Sequence, residues 1–197
     1  MEKLKPRDKM RITLALTGAS GVPIGIRLAE ELSDECELFT VVSDSAKKVM
    51  ETETENKKEA LERLGELSDS VRQEDEIEAP IASGSFETEG MIVCPCSMKT
   101  LSGLATGRSS NLIERAGDVC IKENRKLVLV PRETPLSQIH LENMLKLSRA
   151  GADIVPPVLG FYFKPDGLDG VVDYIVSKVL ERFGIRGDLY NRWNGLD

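Results

Sequence analysis

Short apolar runs alternate with stretches of helical period along this 197-residue chain. The runs at 11–16, 37–42, 91–93 and 127–130 predict strands buried on both faces, because such strands need near-continuous apolar sequence. Parallel strands need crossover connections, and the helical stretches between the runs can supply them. The alternation therefore predicts an α/β fold: a doubly wound, mostly parallel sheet in three α/β/α layers, Rossmann-like or flavodoxin-like, in a single domain spanning 1–197.

The predicted helices carry an apolar face and, in most cases, a capping residue at one end. They cover residues 23–32, 46–53, 111–123, 137–150 and 168–183. A short strand is expected at 154–155. Residues 54–76 are dense in Glu, Lys and Asp, which favours a solvated connection with at most one marginal helix and no chemistry.

Charge and cysteine usage argue against several classes of protein. The formal net charge of −7 disfavours nucleic-acid binding, which rewards clustered Lys and Arg. No run approaches the roughly 18 apolar residues of a membrane span, and the charged N-terminus lacks the apolar segment of a signal peptide. We therefore expect a cytoplasmic protein with thiol cysteines, Cys36 and Cys120 being core residues. Cys94, Cys96 and the single His140 do not make a zinc ligand set, so no metal is expected.

Three predicted strands end in turns of small and polar residues. These turns are T-G-A-S-G at 17–21, C-P-C-S-M-K-T at 94–100 and R-E-T-P at 132–135. Ligands of open α/β sheets bind at the carboxyl ends of the strands, so the three turns together predict a site for a phosphorylated cofactor. Each turn alone is equally explained by a tight connection, a helix cap or a salt-bridged loop.

Five motifs in this order resemble the flavin prenyltransferases of the UbiX type. They are T-G-A-S-G at 17–21, S-G-S-F at 83–86, P-C-S-M-K-T-L-S-G at 95–103, R-E-T-P at 132–135, and P-P followed by F-Y within 156–162. The resemblance implies an FMN-binding Rossmann-like fold and an enzyme that joins a dimethylallyl group to N5 and C6 of reduced FMN. It also implies dimethylallyl monophosphate as the usual donor, no metal, a dodecamer with sites at subunit junctions, and a UbiD-type decarboxylase as recipient of the prenylated FMN.

The resemblance also assigns residues, motif by motif. The positions that match FMN contacts are Gly18, Ala19, Ser20, Ser43, Ser97, Met98, Lys99, Thr100 and Arg132. The positions that match contacts to the donor phosphate are Lys122, Tyr162 and Lys178, the last often an arginine in relatives, with Arg115 at the subunit-junction site. The positions tied to catalysis are Ser20, Glu53 and Glu133, Glu53 being placed only by its distance from Ser43. Residues 185–197 are expected to form a tail in a subunit interface, where Trp and Arg are enriched.

Three other functions are weighed against this one. A flavin-dependent cysteine decarboxylase is disfavoured, because Ser20 and P-C-S-M at 95–98 stand where that class has a histidine and a Pro-x-Met-Asn motif. Decarboxylation of aromatic acids is interpreted as an indirect effect of supplying the modified flavin. An FMN carrier or electron-transfer flavoprotein needs no second phosphate site, so convergence of Lys122, Tyr162 and Lys178 near the flavin would discriminate against it.

Overall fold

The computed structural model describes residues 9–193 and residue 195. Within these residues the sheet has six strands, all parallel, in the order β3-β2-β1-β4-β5-β6. The strands are β1 Arg11–Leu16, β2 Glu37–Val42, β3 Ser70–Gln73, β4 Gly90–Cys96, β5 Lys126–Pro131 and β6 Asp153–Ile154. This order is the one found in Rossmann folds, so the predicted fold class is confirmed.

Seven α-helices in the described part of the chain connect the strands. They are α1 Val22–Glu35, α2 Asp44–Glu53, α3 Lys57–Leu67, α4 Met98–Ala105, α5 Leu112–Lys122, α6 Gln138–Arg149 and α7 Gly167–Leu180. Side chains of Ser43, Ser97, Asn111 and Ser137 cap α2, α4, α5 and α6, because each accepts a hydrogen bond from a first-turn amide. A short 3₁₀ turn follows α7 and ends at Gly184, whose φ of +75° favours glycine.

The charged segment 54–76 contains more regular structure than its composition predicts. It holds α3 and the edge strand β3, which pairs with β2 from Ser70 to Gln73. Leu64 anchors α3, since its side chain is fully buried in the core. The one helix expected in this segment is therefore present as α3, but the interpretation of the remainder as a solvated connection was wrong. The strand escaped prediction because β3 has four residues, none of them buried, and lacks the apolar run of a central strand.

Strand β4 is also longer than predicted and continues through Pro95 to Cys96. Proline lacks a backbone donor, so the sequence indicated that the strand ends at Val93. The ladder to β5 shifts register between Val93 and Cys96, after which Cys96 pairs with Pro131. The extension brings Ser97 beside the end of β1.

Two apolar layers cover the sheet. Alternate residues of β1 belong to different layers: Leu14 lies in the layer shared with α1 and α7, and Ala15 in the layer shared with α4 and α5. Cys36 and Cys120 are buried thiols, as predicted. Among residues 9–193 and 195, no helix combines the length and the hydropathy needed to cross a bilayer.

Helix α6 leaves most of its apolar face uncovered in the protomer. Leu147 is buried, whereas Ile139, Leu141 and Leu145 are 68%, 52% and 51% exposed. His140 lies in the first turn of α6, where its Nδ1 accepts a hydrogen bond from the amide of Ser137 and completes a capping box. The single histidine is thus a helix cap.

Candidate functional site

The site is built around the switch point of the sheet, where β1 and β4 lie side by side and their connections run to opposite sides. The buried hydroxyl of Thr17 joins the two strand ends: it donates to the carbonyl of Pro95 at 2.7 Å and accepts from the amide of Ser97 at 2.8 Å. The sequence places Thr17 in a motif but gives it no role. Its function depends on the neighbouring strand, about eighty residues away in the chain.

The glycine turn after β1 packs tightly. A Cβ on Gly18 would collide with the Cβ of Ser45 at the start of α2, so only glycine fits there. Ala19 is buried, whereas Ser20 is exposed at the edge of the sheet. Gly21 has a φ of +113°, in the region that favours glycine. The turn therefore brings the backbone of β1 close to α2 and presents Ser20 outward.

The N-terminus of α1 has no free donor for a ligand. The amides of Gly21 and Val22 donate to Oε2 of Glu53 at 2.8 and 3.0 Å, and the amide of Ile24 donates to the carbonyl of Gly21 at 3.0 Å. Pro23, between them, has no amide hydrogen. The Glu53 carboxylate therefore occupies the two amides at the start of α1. Binding of an anion or a flavin edge by the other N–H groups and the hydroxyl of this turn stays a prediction.

The N-terminus of α4, in contrast, is open. The hydroxyl of Ser97 accepts from the amide of Thr100 at 3.3 Å and lies 3.1 Å from the Thr100 hydroxyl. No partner among the described residues accepts from the amides of Met98 and Lys99, and the Lys99 side chain is exposed. Two free amides, two hydroxyls and an ammonium at a helix N-terminus make a site for an anion.

Ser43 and Arg132 extend this edge on either side of α4 and the glycine turn. Ser43 follows β2, is 4% exposed, and its amide donates to the carbonyl of Leu16 at 3.0 Å. Arg132 follows β5; its amide donates to Cys96 and its Nε to the carbonyl of Ser20, each at 3.3 Å. The structure thus brings together the predicted FMN contacts from β1, β2, β4 and β5.

The predicted catalytic residues share this edge but differ in environment. Ser20 and Glu53 line one cavity of about 330 Å³, whose other walls are mostly apolar and include Leu168 of α7. Glu133 is exposed, and its Oε1 accepts from the amide of Thr134 at 3.0 Å. Ser20 and Glu53 are therefore neighbours, while the Glu133 carboxylate faces solvent in the protomer.

Tyr162 and Lys178 lie in an aromatic cluster that contains α7 and the tail. Lys178 Nζ is 2.6 Å from the Tyr190 hydroxyl and 3.3 Å from Glu181 Oε2. Burial lowers the pKa of Lys178, but the hydrogen bonds to Tyr190 and Glu181 outweigh it and raise the pKa above its ordinary value. The ring of Tyr162 lies 6.2 Å from that of Tyr174, which Lys178 also contacts. No described contact joins this cluster to Arg132.

The tail packs on its own protomer. Arg192 pairs with Glu181 at 2.6 Å, and the ring of Trp193 lies 6.2 Å from that of Tyr162 while the indole stays 58% exposed. Residues 194, 196 and 197 lie outside the described part of the chain. The placement of residues 185–197 in a subunit interface stays a prediction.

Lys122 and Arg115 belong to different turns of α5: Arg115 lies in the first turn, whereas Lys122 lies at the C-terminal end, toward the amino edge of the sheet. Lys122 ends α5, pairs with Glu123 at 2.6 Å, and lies next to Gly84. Arg115 donates through Nε to the carbonyl of Ala82 at 3.1 Å. Both cations flank the loop that precedes β4, so a single protomer does not bring Lys122 to Arg132.

Comparison with known proteins shows the family of this chain. A model of the Flavoprotein family matches residues 1–183. Flavin prenyltransferase UbiX of Halalkalibacterium halodurans is 47% identical over 189 residues, which cover 92% of each chain. This chain belongs to the UbiX family of flavin prenyltransferases.

Solved structures of the UbiX family share the whole fold. The structure of AnUbiX (PadA1) in complex with FMN and dimethylallyl pyrophosphate has a TM-score of 0.92 at 42% identity, covering 96% of this chain and 100% of that one. A dodecameric FMN-dependent Ubix-like decarboxylase from Escherichia coli O157:H7 has a TM-score of 0.90 at 45% identity, covering 94% of this chain and 100% of that one.

The residues at the carboxyl edge fit the FMN of this flavoprotein family. The free amides and hydroxyls of 97–100 suit its phosphate, and the cationic Arg132 suits an electron-rich ring. No group of three or more His, Cys, Asp or Glu side chains within the described ranges is arranged to bind a metal ion.

Proposed function

We propose that this protein is a flavin prenyltransferase, which joins a dimethylallyl group from dimethylallyl phosphate to N5 and C6 of reduced FMN and releases prenylated FMN. The observation that carries the proposal is the open N-terminus of α4 beside Arg132 at the switch point, in a chain 47% identical to a flavin prenyltransferase. FMN is both the bound flavin and the co-substrate.

The phosphate of FMN binds at the N-terminus of α4 in this proposal. The amides of Met98 and Lys99, the hydroxyls of Ser97 and Thr100, and the Lys99 ammonium all face an anion there. The N-terminus of α1 is excluded because Glu53 occupies its amides. Gly18, Ala19, Ser20, Ser43 and Arg132 then surround the remainder of the flavin.

Cations neutralise the donor phosphate as it leaves. When bound, reduced FMN supplies the nucleophilic ring. Arg132, Lys122 and Lys178 supply positive charge to the leaving oxygens, and Tyr162 supplies a hydrogen bond, because preorganised donors stabilise developing negative charge. Glu133 delivers a proton to the departing phosphate or accepts one from the flavin, and Ser20 with Glu53 relays a proton beside the ring.

Neighbouring protomers complete this site in the proposal, because Lys122 lies at the opposite edge of the sheet from Arg132. Exposed apolar side chains offer surface for such contacts: Phe161 is 77% exposed, Leu168 75% and Ile139 68%. We propose a homo-oligomer, a dodecamer like the relative from Escherichia coli, with residues 185–197 at a subunit boundary.

The product serves a UbiD-type decarboxylase in the cytoplasm, and the reaction needs no metal. Membership of the UbiX family supports these three proposals. Dimethylallyl monophosphate is the proposed donor, although the solved relative contains the pyrophosphate, so both esters belong in the test.

Mass spectrometry of the flavin tests the reaction directly. Purified protein is incubated anaerobically with reduced FMN and dimethylallyl phosphate, or pyrophosphate in a second arm. A flavin heavier by one five-carbon unit is the expected product. An unchanged flavin mass in both arms, with FMN bound, overturns the proposal. Glu133→Gln should bind FMN normally and lose turnover; full turnover in this variant would remove Glu133 from the mechanism.

The second candidate is an FMN carrier, favoured by one observation: Lys122, Tyr162 and Lys178 do not converge on Arg132 within one protomer. A carrier would bind FMN, form no donor-dependent product and show no change on Lys122→Ala. A decarboxylase acting alone would release carbon dioxide from an aromatic acid with FMN and no second enzyme, and we expect none.

A further inference from the structure

Glu74 joins two helix N-termini at the carboxyl edge of the sheet. It follows β3 directly, within the charged segment that the sequence left without a role. Its Oε1 accepts from the amide of Asp44 at 3.0 Å, and its Oε2 accepts from the Asn111 side-chain amide at 2.8 Å. The carbonyl of Glu74 also accepts from the amide of Leu112 at 2.8 Å. One residue therefore fixes the start of α2 relative to the start of α5.

The two contacts of the carboxylate require two acceptors. Asp44 presents a backbone N–H, which can only donate. Asn111 presents its NH₂ group, because its oxygen already caps α5 by accepting from the amide of Glu114 at 2.9 Å. A glutamine at position 74 has one oxygen and one NH₂ group, so it can satisfy either Asp44 or Asn111 but not both.

The start of α2 reaches the flavin edge through its neighbours. Ser43, the cap of α2, directly precedes Asp44, and Ser45 directly follows it. The Cβ of Ser45 packs so closely on Gly18 that no side chain fits at position 18. A shift of the Asp44 backbone therefore moves both Ser43 and the contact to the glycine turn, because closely packed groups transmit small displacements.

We propose that Glu74 is a positioning residue for FMN binding, which fixes the turn of Ser43 and Ser45 by bridging Asp44 to Asn111. This rests on the FMN-binding part of the proposed function and not on prenyl transfer. Glu74 itself does not touch the flavin in this proposal. Loss of one bridge weakens FMN binding by about three- to tenfold, the range of one hydrogen bond.

A donor–acceptor exchange tests the bridge. Glu74→Gln and Asn111→Asp are each expected to raise the dissociation constant of FMN. In Glu74→Gln the new NH₂ group at position 74 faces a donor, the NH₂ group of Asn111. In Asn111→Asp the new carboxylate at position 111 faces the carboxylate of Glu74. In the double variant the new amide at position 74 can donate to the new carboxylate at position 111, which still caps α5. The double variant should therefore return to within about twofold of the wild-type constant, a coupling that independent sites do not show.

The readout is FMN affinity by flavin fluorescence, with Glu78→Gln as the matched control. Glu78 is exposed and makes no hydrogen bond or ion pair within residues 9–193. Its variant should bind FMN as the wild type does. Full-length protein is used throughout, and thermal unfolding without FMN confirms that each variant folds. Equal FMN affinity in Glu74→Gln and Glu78→Gln, or additive losses in the double variant, would overturn the inference.

Turnover separates positioning from chemistry. If prenyl transfer is observed, Glu74→Gln should raise the KM for FMN and leave kcat at saturating FMN unchanged. A fall in kcat with unchanged KM would contradict a positioning role. If the wild type forms no prenylated flavin, the proposed function fails while the affinity measurements still decide the role of Glu74.

Discussion

Oε2 of Glu53 lies 2.8 Å from the amide nitrogen of Gly21. The residue that ends α2 thus satisfies the first amides of α1, so both ends of α2 contact the edge of the sheet where the flavin is proposed to bind. The same carboxylate is a proposed proton relay. Substitutions of Glu53 can therefore separate its effect on stability, as a helix cap, from its effect on turnover, as a proton relay.

Glu53→Ala should lower the free energy of unfolding by about 0.5–2 kcal/mol, the usual cost of removing a helix cap. Glu53→Gln keeps an oxygen for both amides and should stay within about 0.5 kcal/mol of wild type. Urea unfolding measures both values. In the prenyl-transfer assay, Glu53→Gln should lose kcat while its FMN affinity is retained; an unimpaired kcat would remove the relay role.

Thr17→Val should destabilise the switch point by about 1–3 kcal/mol, because the partly buried amide of Ser97 loses its acceptor. Valine has nearly the shape of threonine, so packing is conserved. Thr17→Ser keeps the hydroxyl and serves as the control. Equal free energies of unfolding for Thr17→Val and Thr17→Ser would show that the hydroxyl contributes nothing.

Gly18→Ala should weaken FMN binding, because the new Cβ collides with Ser45 and the turn must move, at a cost of about 1–3 kcal/mol. Adding Ser45→Gly removes the colliding atom and should restore most of the affinity. Gly65 is the matched control: it lies in α3 with open space around it, so Gly65→Ala should stabilise the protein by up to about 1 kcal/mol. Titration with FMN and urea unfolding distinguish these outcomes.

The carboxyl group of Glu114 should make the free energy of unfolding depend on pH in the acidic range. Burial alone would raise the pKa of its 1% exposed carboxyl group, but hydrogen bonds from Arg108 and Ser110 outweigh burial and hold the pKa below its ordinary value. Because the folded pKa is the lower one, this stabilisation is complete above the unfolded pKa of about 4.3 and is lost as pH falls through the folded pKa.

Glu114→Gln should therefore be less stable than wild type near neutral pH, by about 1–3 kcal/mol, and the difference should shrink below about pH 4. Urea unfolding across this range provides the measurement. Arg108→Gln removes one partner and should flatten the wild-type pH dependence in part. A constant difference between wild type and Glu114→Gln at every pH would contradict the assignment.

The central strands could be predicted from sequence because they are buried on both faces. The bounds 11–16 and 37–42 coincide with β1 and β2, since apolar residues fill most positions of both strands. The caps Ser97 and Asn111 could be predicted for a similar reason, as their hydrogen bonds are local in the chain.

The contacts of Glu53, Glu74 and Thr17 could not be predicted in the same way. Glu53 caps a helix that begins 31 residues earlier, and Thr17 bonds a strand 78 residues later. Such contacts depend on which strands become neighbours in the sheet, and a local sequence pattern does not specify the order of the strands. Strand β3 could not be predicted for the same reason, because this edge strand forms by pairing with β2 alone.

Lys122 and Arg132 lie at opposite ends of the sheet, and this separation has a genetic consequence. If one protomer supplies the flavin side of a site and another supplies Lys122, then Lys122→Ala and Arg132→Ala disable different contributors to the same site. Oligomers assembled from an equal mixture of the two inactive proteins would contain intact sites at a frequency of about one quarter, provided the subunits mix at random. Recovery of activity on co-assembly is thus a form of intragenic complementation, and a site contained within one chain cannot produce it.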